Sequence, residues 1–79
     1  MKKTLIEAFG WYGMAAIVSA YALTSFSVLT PESIWYQLLN ATGAIGVVVV
    51  SFNKRAYQPG ILNLIWTLIA VVAIIKIIF

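Results

Sequence analysis

Few residues in this chain have side chains able to do chemistry. Its 79 residues include two acids, Glu7 and Glu32, and neither His nor Cys. Zinc sites, thiolate nucleophiles and disulfides therefore have no ligands or donors to work with. The Ser and Thr residues have no general base nearby in sequence, and the two acids are too far apart to share a helical turn. The chain is expected to be no enzyme and to need no cofactor or metal. What remains is neutral and polar: Tyr12, Tyr21, Tyr36, Gln37, Asn40, Asn63 and Trp66. Amides, phenols and an indole can hold a small molecule by hydrogen bonds and stacking, or tie helices together. Both readings stay open: inter-helix glue, or a site for a small solute or partner lined by Asn40, Asn63, Trp66 and Tyr36.

The elements that must position these groups follow from where charge is missing. Hydrophobic residues make up 63% of the chain and charged residues 9%. A soluble domain this short cannot hide so much apolar surface. No charge occurs from Ala8 to Leu29, from Ser33 to Asn53, or from Ala56 to Ile75. Each run is about 20 residues, and at about 1.5 Å per residue each crosses a hydrocarbon layer of roughly 30 Å. The expected fold is all-α, an integral membrane three-helix bundle in a single transmembrane domain, 1–79. Its helices are expected at about 7–29, 33–53 and 58–78. The partner this demands is the lipid bilayer, with a homo-oligomer or larger membrane complex expected beyond it. A net charge of +3 on a soluble chain would suggest nucleic acid. Here the cations sit at span ends, so topology is the reading and no nucleic-acid partner is expected.

The connectors carry their own signals. In Thr30-Pro31-Glu32-Ser33, Thr30 is suited to cap the second helix, Pro31 to its first position and Glu32 to its positive end. In Asn53-Lys54-Arg55-Ala56-Tyr57-Gln58-Pro59-Gly60, Pro59 suits the first turn of the third helix. Lys2, Lys3, Lys54 and Arg55 fall on one side of three spans and Lys76 near the other, which predicts a cytoplasmic N-terminus and an outer C-terminus. Lys54 and Arg55 also suit anionic headgroups, although two charges make a small cluster. Glu7 is expected either to complement the dipole of the first helix or to pair with Arg55. Met1-Lys2-Lys3 ahead of an apolar run ending in Ala20-Tyr21-Ala22 has the outline of a secretory signal. Glu7 and the bulky Trp11-Tyr12 pair make it a poor one, so the first helix is expected to stay.

Helical spacing then sorts the faces. Small and polar residues recur at three or four positions: Gly13, Ala16 or Ile17, Ala20 or Tyr21, and Thr24; Tyr36, Asn40, Gly43, Val47 and Ser51; Pro59, Asn63, Trp66, Ala70 and Ala73. Gly13, Gly43 and Ala70 are the expected packing positions, since small residues let backbones approach. Val48, Val49, Ile61, Leu62, Leu68, Ile69 and Val72 form the faces lipid would accept. By depth, Tyr21, Tyr36, Gln37 and Asn40 fall in one half, and Tyr12, Asn53, Asn63 and Trp66 in the other. Tyr21 is the expected partner of Asn40, and Tyr12 or Asn53 that of Asn63.

Two resemblances follow from these residues. Gly10-Trp11-Tyr12-Gly13, Ala20-Tyr21 with Ser25, and Tyr36-Gln37-Leu38-Leu39-Asn40 with Gly43 resemble the CBU-like domain family of small bacterial membrane proteins. So do Lys54-Arg55-Ala56-Tyr57-Gln58-Pro59, Leu62-Asn63, Trp66 and Ile69-Ala70. The likeness runs over nearly the whole chain. It implies three helices in a bacterial inner membrane and no particular activity. In architecture alone the chain is similar to SemiSWEET half-transporters, three-helix units that dimerise around midplane Asn and Trp side chains, here Asn63 and Trp66. It departs from them in lacking a Pro-Gln pair in the first helix and in its expected orientation. The functional expectation is a structural, accessory or oligomerising membrane subunit, with a dimeric half-transporter as the alternative.

Overall fold

The structure, a computed structural model, describes residues 3–79; Lys2, one of the expected topology signals, lies outside them. Three helices follow in order: α1 (Lys3–Ser25), α2 (Ile34–Asn53) and α3 (Tyr57–Ile78), with no strand among the described residues. Each is long and apolar enough to cross a membrane, with mean hydropathy of 1.2, 1.4 and 2.5. The longest dimension is 35 Å, about what a 23-residue helix spans at 1.5 Å per residue.

The helices do not close into the expected bundle. α2 packs on both α1 and α3, while α1 and α3 come nowhere within 8 Å of each other, Cα to Cα, among the described residues. The reason lies in α2, which carries buried small residues on two faces. Gly43 and Gly46 meet α1. A second buried stripe, Ala41, Ala44 and Ser51, lies on another face: Ala44 follows Gly43 by one residue and so sits about 100° further round the helix. α1 and α3 lie on different sides of this central helix, and an open cleft separates them. The placement also corrects the expected lipid faces. Val48 and Val49 are half-buried because α2 is flanked, whereas Ile61, Leu62, Leu68, Ile69 and Val72 are exposed on α3.

Backbone chemistry sets the helix ends. α1 stops at Ser25, four residues short of the expected Leu29, in a Schellman motif. Val28 N–H donates to Leu23 O (2.8 Å) and Ser27 N–H to Thr24 O (3.1 Å). Ser27 holds the left-handed position that this turn requires, with φ 64°. α2 ends the same way: Ala56 N–H donates to Ser51 O (2.8 Å), Arg55 N–H to Phe52 O (3.1 Å), and Arg55 has φ 58°. Between α1 and α2, Thr30 is not the cap. Ser33 N–H donates to Thr30 O at 2.8 Å, closing a β-turn with Pro31 at its second position. Pro31 and Glu32 therefore lie in the turn, and Ser33 caps α2 by accepting from Trp35 N–H at 3.2 Å. Pro59 is the third residue of α3, where a missing N–H costs nothing because it would have no partner in the helix.

Candidate functional site

Among the described residues, the cleft between α1 and α3, floored by α2, gathers the candidate polar side chains, Tyr12 excepted. It holds two depressions. One, of about 490 Å³ and inner by the sidedness that the basic residues lead one to expect, lies toward the end where α1 begins and α2 ends; Glu7, Trp11, Met14, Lys54, Asn63 and Trp66 are among its walls. The outer one, of about 310 Å³, is lined by Tyr21, Tyr36, Gln37, Asn40 and Ile69, with Pro31 at its edge. Ile17 and Trp66 line both and so form the divide. Asn40 and Asn63 thus open onto one cleft without sharing a depression. Trp66 is half-exposed at 50%.

The α1–α2 interface holds the inner depression's walls in place. Glycine makes this interface possible. An added Cβ on Gly13 would run into Gly43 O and meet Val47 N at 2.9 Å; one on Gly43 would meet Gly13 O and the Ala16 Cβ at 3.0 Å. Gly46 lies against Phe9 O in the same way. Lys54 continues the α2 stripe of Gly43, Val47 and Val50, and Glu7 continues the α1 stripe of Gly13 and Gly10. The two close the end of the interface as an ion pair, with Nζ 3.0 Å from Oε2 and donating to Oε1 at 3.2 Å. The expected pairing of Glu7 with Arg55 is replaced, because Arg55 has already turned off the helix into the Schellman reversal. Nor does Glu7 occupy the first turn, since α1 starts at Lys3.

The polar partners also differ from those expected. The Asn63 Nδ2 donates to Pro59 O at 2.9 Å, one turn back on its own helix, and its buried Oδ1 has no partner among the described residues. Asn63 itself is 6% exposed. Thr67 donates to Asn63 O at 2.8 Å, so a string of local bonds runs up the α2-facing side of α3. Tyr12 is on the other side of α1 from the cleft and shares a 2.6 Å hydrogen bond with Thr42, which donates in turn to Leu38 O (2.8 Å). Tyr21 is 73% exposed, and no hydrogen bond joins it to Asn40 among the described residues. Gln37 is buried for a reason its spacing did not reveal: its Nε2 donates to Pro31 O at 2.7 Å and fastens the turn onto α2. Ala70 is buried on α3 beside Asn63 and Thr67. Trp11 and Met14 were not among the candidates; their only sequence signal is helical spacing, Trp11 four residues after Glu7 and Met14 three after Trp11.

Among the described residues no group of His, Cys, Asp or Glu is placed to hold a metal. Chemically the cleft can surround an apolar body and offer charges of both signs at its inner end. No curated protein and no solved structure matches the chain. One family's sequence profile does, over residues 6–79, which takes in α2, α3, all but the first three residues of α1, and both depressions. The chain belongs to the CBU-like domain family.

Proposed function

We propose that this chain is a three-pass protein of a bacterial inner membrane and that it works as an oligomerising subunit through the open face between α1 and α3. The supporting observation is that α2 alone carries both helix interfaces, leaving a cleft with polar walls that a single chain does not close. A bilayer gives apolar helix faces no reason to associate by themselves, so close packing and polar contacts decide what pairs with what. The cleft edge supplies such contacts in Tyr21, Tyr36 and Asn40, none of which forms a side-chain hydrogen bond within the described chain. The N-terminus is read as cytoplasmic and the C-terminus as outside, on the strength of Lys3, Lys54 and Arg55 at one end and Lys76 at the other. An enzymatic role has little to stand on, since Glu7 is engaged by Lys54 and Glu32 lies in the turn at the opposite end.

The test is the number of copies per particle, measured by native mass spectrometry from nanodiscs. Two or more copies, reduced to one by Tyr36→Ala with Asn40→Ala, is the expected result. A single chain at every protein-to-lipid ratio refutes self-association. A second reading, a dimeric half-transporter, is favoured by the meeting of the two depressions at Trp66. It requires solute uptake into liposomes that Asn63→Ala and Trp66→Ala reduce.

A further inference from the structure

The outer depression keeps polar atoms that the chain does not use and that an occupant can reach. Among the described residues the buried side-chain atoms without a hydrogen bond are Thr24 Oγ1 and Asn63 Oδ1. Asn40 is half-buried and makes no side-chain hydrogen bond either, so its Oδ1 and Nδ2 both keep accessible surface. The same holds for Oε1 of Gln37, whose Nε2 is taken by Pro31 O. Gln37 and Asn40 are three residues apart and share a face of α2. Asn40 lies six residues into that helix, about 9 Å at 1.5 Å per residue, where lipid offers an amide no partner. Every residue lining the depression is uncharged. The rings of Tyr21, Tyr36 and Trp66 line it without stacking on one another, since the ring pair in contact among the described residues is Phe52 with Tyr57.

We propose that the outer depression binds a small uncharged molecule made of a flat ring bearing a primary carboxamide. The inference goes beyond the association above and rests only on its membrane reading. The free atoms on α2 are two acceptors, Asn40 Oδ1 and Gln37 Oε1, and one donor group, Asn40 Nδ2. A primary carboxamide is their complement, with two N–H bonds and one carbonyl oxygen. One N–H and the carbonyl pair with the Asn40 amide, and the second N–H goes to Gln37 Oε1. The ring takes the space beside Ile17, Ile69 and the aromatic walls, where stacking adds to apolar burial. A volume of about 310 Å³ stands at the lower end of the roughly 300–1,000 Å³ usual for ligand sites and suits a single substituted ring. The Asn40 amide has two N–H bonds and two lone-pair directions, enough to meet a second copy and an occupant together.

Other occupants fit less well. A carboxylate or an ammonium group finds no opposite charge on these walls and loses its hydration. An acyl chain suits the two isoleucines and leaves the Asn40 amide and Gln37 Oε1 without partners. A polyol satisfies the amides but sets hydroxyl groups against Ile17, Ile69 and the rings.

The discriminating measurement is equilibrium dialysis of benzamide against the full chain in nanodiscs, with empty nanodiscs as the blank. Benzamide should bind saturably above the blank. N,N-dimethylbenzamide, which keeps the ring and carbonyl and has no N–H, should bind about tenfold more weakly, the factor that unpaired acceptors imply. Benzoate should bind more weakly still. Asn40→Leu should weaken benzamide about tenfold and bring its preference over the dimethyl amide to within about twofold. Ile69→Trp, at an exposed position of α3 on the wall of the depression, should block binding with the α2 amides untouched. No saturable benzamide binding by the wild-type chain overturns the proposal. So does equal binding of the dimethyl amide or of benzoate, displacement of benzamide by an equal concentration of myo-inositol, or binding that survives both substitutions. Carbonate extraction of native membranes tests the embedding on its own: a chain that is released sinks the membrane reading, whereas an embedded chain that ignores benzamide sinks only this one.

Discussion

A single methyl group placed on three different glycines should have opposite effects. At Gly13, an added Cβ meets two backbone groups of α2: the Gly43 carbonyl oxygen, and Val47 N at 2.9 Å. Backbone in the middle of a helix cannot rotate away, so α1 and α2 must separate. At Gly46 the obstacle is again backbone, the Phe9 carbonyl oxygen. At Gly60 the nearest atoms belong to the Phe52 ring, at 3.2 Å, and that side chain is exposed and free to shift. Overpacking costs about 1–3 kcal/mol, and backbone obstacles put Gly13 and Gly46 at the upper end. Replacing a mid-helix Gly by Ala returns about 1 kcal/mol of helix propensity at each site. Gly13→Ala and Gly46→Ala should therefore lose a net of about 2 kcal/mol, a factor of roughly 30 in the folding equilibrium. Gly60→Ala, in the first turn of α3, should be neutral or slightly stabilising. Reversible unfolding in mixed micelles, followed by far-UV circular dichroism and by fluorescence of the three tryptophans, gives the free energies. Equal stability of Gly13→Ala and Gly60→Ala would refute the argument, since helix propensity alone gives Gly13→Ala no disadvantage.

Three further outcomes are expected. Ser27→Gly should stabilise by about 1 kcal/mol, because Ser27 holds a left-handed φ of 64° that costs an L-residue about 1–2 kcal/mol and glycine almost nothing; a lower unfolding midpoint would contradict this. Gln37→Leu should cost about 1–2 kcal/mol and expose the turn at 26–33 to proteolysis, since the side-chain hydrogen bond to Pro31 O is removed; unchanged cleavage there would mean the turn holds itself. A reporter active only in the cytoplasm should be silent when fused after Phe79 and active when fused to the second connector; the reverse would invert the topology.

Much of the architecture is visible in the order of residues. The three uncharged runs define three helices because a span needs about 20 apolar residues and tolerates few charges. Gly13 and Gly43 stand out because small residues at helical spacing mark where backbones can meet. The connectors were harder to read. A Thr-Pro-Glu-Ser string serves equally as a helix start or as a turn before one, and the competition was won by the Ser33 N–H closing onto Thr30 O. The two Schellman endings were hidden because non-glycine residues, Ser27 and Arg55, occupy the left-handed positions. For the polar residues, type and depth were legible but partners were not. Asn63 and Thr67 bond to their own helix, a local option open to any such residue, and nothing in their spacing separates it from a bond across helices.

The chain by itself determines that three apolar helices form and that neighbours in sequence are antiparallel, because their lengths and the short turns leave no other arrangement. It also determines which residues are small enough for contact. Only the tertiary structure decides that α2 lies in the centre and that α1 and α3 stay apart. Beside lipid an apolar side chain gains little by moving from acyl chains to a neighbouring helix, so hydropathy cannot say which faces pair. That choice falls to how one backbone seats against another, at Gly13 on Gly43 and Phe9 on Gly46, and such fit exists only once two helices share a register.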